Sequence, residues 1–407
     1  MQSSHRLTST ALFLCVFLAV FTEVLLSPFY PQFFRKVFGV EDLQYTGYYI
    51  FVCRLTVVIC APLWGWLSRR VAVRYLLCAG QAGTAIMTAL MATATSAEQF
   101  LIYTIALLLF KSSYLMVYPL IIQIAGTERR SAIAGLYQAV FHGAIIAATV
   151  AGAWMVNLDA PLFLFYWIAL ADLLQLGLCL WVLRSPSAPQ EIPSSESTAQ
   201  PSSGGDRWGF MVILGVVILT FQLANNLVRP FFTEYILAPE PFGIDLLSSS
   251  VVFLIPSLMA IAAMPFIRRV AHPPRLPLLY TVGMGCLALS LLGQGWGQSL
   301  GILIFSRVVY GFFLAVTQAV LELHLFSQSS QQKLHFNYSL ITAFGNVGHL
   351  GAPLLASQLV STYTLASPLI AAGLLSLANV LFARFVLFSP QLTPSESSKP
   401  KLNSEVS

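Results

Sequence analysis

Apolar residues run along this chain in long stretches, and polar residues collect between them. Twelve stretches stand out, at about 9–30, 46–67, 75–95, 99–123, 131–156, 160–183, 209–232, 247–267, 276–296, 300–324, 337–359 and 364–388. Each is long enough to cross a bilayer as a helix, and the alternation of apolar with polar residues that marks barrel strands is missing. The pattern predicts an all-α membrane protein with twelve transmembrane helices. His5 and Arg6 precede the first stretch in the manner of a signal peptide. Its length, Glu23 within it and the lack of a clear small-residue cleavage site predict instead that it stays in place as the first helix.

The breaks between stretches repeat in order. Leu25-Leu26-Ser27-Pro28-Phe29-Tyr30 returns as Leu227-Val228-Arg229-Pro230-Phe231-Phe232, and Phe38-Gly39-Val40-Glu41-Asp42-Leu43 returns as Phe242-Gly243-Ile244-Asp245-Leu246-Leu247. Arg69-Arg70-Val71-Ala72 recurs as Arg268-Arg269-Val270-Ala271. Echoes at nearly one offset predict an internal duplication, with pseudo-symmetric six-helix bundles over residues 1–184 and 208–390. Residues 185–207 between them are rich in Ser, Pro, Glu and Gly and read as a flexible cytoplasmic linker; 391–407 reads as a disordered cytoplasmic tail. A site between like halves in a bilayer can open to one side and then the other.

Composition identifies the solvent. Hydrophobic residues make up 57% of the chain and charged residues 9%, with a mean hydropathy of +0.77, whereas a soluble domain is about 25% charged. With the N-terminus inside, fifteen of the 21 Lys and Arg fall on the cytoplasmic side, only Arg35, Lys36 and Arg229 fall outside, and Arg54, Lys111 and Arg307 lie within spans. Both termini are therefore expected in the cytoplasm, with the protein in the inner membrane. The net charge of +5 follows from this topology, and no nucleic-acid partner is expected. Cys15, Cys53, Cys60, Cys78, Cys179 and Cys286 all lie in or at the ends of spans and read as small packing residues.

The loop between the second and third spans reads Gly65-Trp66-Leu67-Ser68-Arg69-Arg70-Val71-Ala72-Val73-Arg74. With the twelve spans, the duplication and the central linker, it resembles the major facilitator superfamily over roughly residues 8–388, whose loop pattern is G-x-L-[AS]-D-R-x-G-R-[KR]. Gly65, Leu67, Ser68, Arg70 and Arg74 match, while Arg69 stands where the family has Asp. The resemblance implies a gating role for Gly65, Arg69, Arg70 and Arg74, and Arg69 departs from the helix-end contact that the Asp supports. On charge placement alone the same arginines are topology anchors. Arg307-Val308-Val309-Tyr310-Gly311 carries a second family pattern, R-x-x-x-G, on the tenth span rather than the fourth.

Ionisable side chains within apolar spans are costly unless paired or wet, so each is a candidate for the transport path. At 1.5 Å per residue, Glu23 and Arg54 lie roughly 21 and 20 Å from the inner ends of their helices, so they could meet as a structural ion pair or serve coupling. The resemblance implies that helix 1 lines the cavity, which makes Glu23 the first candidate for a proton carrier. Lys111, in the fourth span, is the first candidate for a cation that binds anions, through water rather than through a hidden salt bridge with Asp172. Asp172 reads as paired with a neighbouring helix or with local backbone. His142 and His349 fall in corresponding spans, where they either hydrogen-bond structurally or hold polar cargo. Asn225, in the place of Glu23 in the second repeat, and Asn226 read either as cargo contacts or as interhelical hydrogen bonds. Arg307 and Arg229 sit toward the outer ends of their spans, and Gly345, Gly348 and Gly351 form a small-residue stripe.

No P-loop, nucleophile with its base, or ligand-spaced Cys, His and carboxylate cluster is present in the sequence, so neither an enzyme, a cofactor nor a metal site is expected. Arg54, Lys111 and Arg307, with Arg229 nearby, outweigh Glu23. The expected function is secondary transport of a small organic anion, a carboxylate metabolite or siderophore-like solute, coupled to protons and carried out by a monomer in the bilayer. A multidrug exporter of the same fold is the alternative, and a non-transporting sensor or scaffold stands behind both.

Overall fold

A computed structural model describes residues 2–68, 70–117, 130–183, 208–328 and 334–388 of the chain. The described residues form helices and no strand. The first half contains α1 (Gln2–Val24), short α2 (Tyr30–Phe38), α3 (Leu43–Leu67), α4 (Val73–Met91), α5 (Ala97–Lys111), α6 (Arg130–Asn157) and α7 (Leu164–Leu183). The second contains α8 (Trp208–Val228), short α9 (Phe232–Leu237), α10 (Leu246–Val270), α11 (Leu276–Trp296), α12 (Leu300–Gln328), α13 (Leu334–Thr362) and α14 (Ser367–Phe382). The expected linker at 185–207 and tail at 391–407 lie outside the described residues.

Among the described residues nine helices are long and apolar enough to cross a bilayer, and Tyr75–Met91 is a shorter apolar helix. The fourth span tightens after Lys111 into a 3-10 turn over Ser112–Met116, and α13 carries Asn346, His349 and Gln358 along its 29 residues. Large apolar side chains such as Phe385, Phe305 and Leu289 are exposed by 74%, 70% and 65%. Such surfaces need lipid around them.

The echoes found in the sequence become matching local structures. Pro28 and Pro230 lack an amide donor, and each stands where a long helix gives way to a short one, between α1 and α2 and between α8 and α9. Gly39 and Gly243 then reverse the chain at φ of 67° and 57°, a region that side chains rarely adopt. Asp42 caps α3 by accepting from Gln44 N at 2.8 Å, and Asp245 caps α10 by accepting from Leu247 N and Ser248 N at 3.1 and 3.0 Å. Hydrogen bonding to Ser248 holds the Asp245 carboxyl below its usual range. The capping aspartates align one residue away from the string match in the sequence, because the loop before Asp245 is one residue shorter.

Helix packing repeats in the same way. In the first half α1 packs on α6 and α7, α4 on α5 and α7, and α3 on α5; in the second, α8 packs on α13 and α14, α11 on α12 and α14, and α10 on α12. The contacts across the halves, α3 with α13 and α6 with α10, are images of each other under the same exchange. Hydrophobic clusters follow suit: one spans Met211 to Phe388, and two others lie between Ala11 and Phe165. Leu43 packs against the second-half cluster and Leu246 against a first-half cluster.

Polar contacts tie the halves at the end that the cation distribution places outside. Arg35 Nη2 meets Glu234 Oε1 at 2.5 Å, Gln32 donates to Glu234 Oε2 at 2.8 Å, and Gln44 donates to Ser361 Oγ at 3.0 Å. Gly47 lies against Ser357 and Pro353 so closely that an added Cβ would stand 2.3 Å from Ser357 Oγ.

The stripe on α13 resolves into different roles. A Cβ at Gly348 would meet Leu219 O at 2.4 Å and Leu223 N at 2.9 Å, both backbone atoms of α8, whereas nothing lies within 4 Å of one at Gly351. Close helix approach therefore depends on Gly348. Gly348→Ala should lower the thermal unfolding midpoint of the purified protein by the equivalent of about 1–3 kcal/mol of overpacking, while Gly351→Ala should leave it in place. Equal midpoints would refute this assignment.

Candidate functional site

A chamber of about 340 Å³ opens where α1, α3, α5 and α13 converge and extends into the first half. Thr22, Glu23 and Tyr30 line it from the α1–α2 arm, Tyr49, Cys53 and Arg54 from α3, Thr88 and Met91 from α4, and Phe100, Thr104 and Lys111 from α5. Phe165, Ile168 and Asp172 come from α7, and the second half supplies Asn346, His349 and Leu350 of α13. The chamber is lopsided. Five transmembrane helices of one repeat build it, and the other repeat closes it with one.

Aromatic packing shapes its apolar wall. Phe100 sits 5.2 Å from Phe33 and 5.5 Å from Phe165 between ring centroids, and Tyr30 stands 4.9 Å from Tyr49. These offset and edge contacts are favourable for rings and hold the wall rigid. Tyr49 Oη pairs with Thr104 Oγ1 at 3.0 Å, so its polar tip is satisfied within the wall.

Glu23, Arg54, Lys111 and His349, far apart in sequence, meet at this chamber. Glu23 is exposed to it, with Tyr114 beside the carboxylate. Lys111 is 7% exposed and donates to Thr22 Oγ1 at 2.7 Å. Among the described residues Lys111 has no carboxylate within ion-pair distance, and the one ion pair within 4.0 Å is Arg35–Glu234. Neither the Glu23–Arg54 pair nor the Lys111–Asp172 bridge weighed on sequence is formed. Arg54 makes no hydrogen bond or ion pair among the described residues. Arg229 is exposed and acts through its charge on Arg54, His142 and His349.

The other sequence candidates lie elsewhere. Arg307 is 4% exposed and is consumed locally: Nη2 donates to Phe253 O at 3.0 Å, Nε to Val252 O at 3.4 Å and Nη1 to Gln294 Oε1 at 3.5 Å, with the guanidinium 3.9 Å over the Phe232 ring. These carbonyls and the ring take the place of a counter-ion. Asn225 donates to Phe221 O at 2.8 Å and accepts from Tyr310 Oη at 3.2 Å. Asn226 donates to Gln222 O at 2.8 Å, and its Oδ1 is buried without a protein partner. His142 and His349 each keep a buried Nδ1 without a protein partner, and of the two only His349 lines the chamber. In the loop motif Arg70 lies 4.2 Å over the Trp66 ring. Gly65 falls within α3, and Arg69 and the Arg74 side chain lie outside the described residues.

Asp172 and Asn346 enter the lining although sequence reasoning did not select them. Asp172 is visible in the sequence as an intramembrane carboxylate, read there as paired with a neighbouring helix or with local backbone. The lining thus carries Arg54 and Lys111 against Glu23 and Asp172. The positive surplus expected from sequence is not in the lining.

Comparison with known proteins agrees with this architecture. The sequence model of the Major Facilitator Superfamily matches residues 12–293 and again 214–406. The multidrug resistance protein MdtG of Klebsiella pneumoniae (strain 342) is 22% identical over 389 residues, covering 93% of both chains. The crystal structure of the human organic anion transporter MFSD10 (TETRAN) superimposes with a TM-score of 0.64 at 18% identity, covering 93% of this chain and 99% of that one. The crystal structure of the nucleoside transporter NupG gives a TM-score of 0.70 at 13% identity over 92% of this chain and 97% of that one. The matched length, the duplicated helices and the chamber between them lead to one conclusion: this chain belongs to the Major Facilitator Superfamily, whose members are membrane transporters rather than enzymes.

Proposed function

We propose that this protein moves a small organic anion by alternating access, coupled to protons, with residues 1–184 and 208–390 rocking as two bundles about the linker 185–207. The observation that carries the reading is the state of the chamber cations. Lys111 has three N–H donors and one hydrogen-bond partner, Thr22, and Arg54 has none among the described residues. Cations in the membrane interior that touch no carboxylate leave hydrogen-bond donors unused, so a carboxylate-bearing solute that supplies the missing acceptors gains what the protein leaves unmade. The solute named for MFSD10 is an organic anion. Glu23, exposed in the same chamber, is the group best placed to exchange a proton with water. The cation distribution supports an inner-membrane protein with both termini cytoplasmic.

Multidrug export is the second reading, favoured by the MdtG likeness and by the aromatic wall of Tyr30, Tyr49, Phe100 and Phe165. A carboxylate and a lipophilic-cation panel, tested on protein reconstituted in liposomes, separates the two. For an anion carrier, carboxylates compete for uptake and lipophilic cations do not.

Lys111→Ala should lower carboxylate affinity roughly 10- to 100-fold, the worth of a charge-assisted hydrogen bond; unchanged affinity removes Lys111 from the site. Glu23→Gln should reduce the accumulation of anion driven by a pH gradient, and preserved accumulation would place coupling elsewhere. Glu234→Gln should weaken the tie to Arg35 and Gln32, so that a cysteine placed at Ser357, buried against Gly47, reacts faster with a membrane-impermeant thiol reagent; an unchanged rate would show that this tie does not hold the end shut.

A further inference from the structure

The first-half lobe of the chamber ends on Asp172, which is 2% exposed yet lines the cavity. Thr88 Oγ1 lies 2.8 Å from Asp172 Oδ2 and 2.9 Å from Thr84 O. Gln81 Nε2 reaches Asp172 Oδ1 at 3.4 Å and Asp172 O at 3.2 Å. The remaining charged groups facing Asp172 are Lys111 from α5 and, beyond Thr22, Glu23 from α1; farther along the α1–α7 contact, Cys15 meets Cys179 at 3.9 Å.

A hydroxyl owns one proton. If Asp172 is ionised, Thr88 must give that proton either to the carboxylate or to Thr84 O, and one acceptor goes without it. If Asp172 carries a proton, it donates to Thr88 Oγ1, Thr88 donates to Thr84 O, and every short contact is made. For the ionised form, Thr88 and a long Gln81 contact are thin solvation, so the Lys111 charge across the lobe is the main compensation. Lys111 is not spent on Asp172: its hydrogen bond goes to Thr22.

From this geometry we infer that Asp172 is a second coupling carboxylate, which takes up a proton when an anion binds at Lys111 and releases it when the anion leaves. The inference rests on the anion-carrier reading. An anion at Lys111 cancels the charge that sustains ionised Asp172, and a proton at Asp172 frees Lys111 for the anion; the two bindings favour each other by the same free energy. The proton comes from water in the chamber and adds to a carboxylate oxygen, with no other bond broken. Thr88 serves both states without moving, first as donor and then as acceptor and relay to Thr84 O.

The test uses full-length protein with lactate, succinate, citrate and benzoate as probes. Binding is followed by the anion-dependent rise in thermal midpoint, and proton uptake by an indicator dye in weakly buffered solution. Anion binding should draw protons from solution in the unaltered protein. In Asp172→Asn, which mimics the protonated carboxyl, that uptake should fall by about one proton per anion, and affinity should lose the roughly tenfold fall per pH unit expected above the titration. If Asp172→Asn takes up as many protons as the unaltered protein, the inference is overturned and the anion reading survives. If the unaltered protein binds none of the four probes, both fall. If Asp172→Asn does not fold, Asp172→Ser decides on the same reading: uptake lower by about one proton per anion supports the inference, and uptake equal to that of the unaltered protein overturns it.

Discussion

A charge inside a bilayer needs a partner, and the ways this chain meets that demand organise the rest of the molecule. Arg307 is surrounded by carbonyls and a ring, so it is part of the frame. Arg35 and Glu234 answer each other across the halves at one end. Arg54 and Lys111 face a cavity with their valence for hydrogen bonds largely open, and that difference separates structural cations from candidate cargo contacts. The same residue type is used for opposite purposes, and only the neighbours decide which.

Repetition supplies the frame in which those neighbours are set. The main packings of long helices inside one half have counterparts in the other, and the contacts of α3 with α13 and of α6 with α10 exchange under the same operation. Prolines end both arms, left-handed glycines turn both loops and aspartates cap both following helices. The repeats differ where chemistry is needed: the chamber lies on one side, and the residue in the place of Glu23 is Asn225, which is bound to its own helix and to Tyr310. A duplicated scaffold has thus kept its packing and specialised its polar content.

Much of this was legible in the sequence. Span positions, broken arms and caps follow from local rules, since proline, glycine and aspartate act within a few residues of themselves. The convergence of Glu23, Arg54, Lys111 and His349 was also within reach, because depth along a helix follows from counting residues. Rotation about each helix was not. Spans that are apolar on every side give no periodic sign of which face meets lipid and which meets a neighbour. That is why Arg307, Asn225 and Asn226 looked like chamber residues, and why Asp172 read as a paired residue rather than as part of the lining it joins. Gly348 and Gly351 make the same point, being three residues apart on one stripe with opposite surroundings.

The lopsided chamber has a consequence for how such a protein can change over time. Because one repeat supplies nearly all of the lining and the other contributes Asn346, His349 and Leu350 from α13, substitutions in the first repeat alter most of the chamber wall, while most of the second repeat is free to drift without touching it.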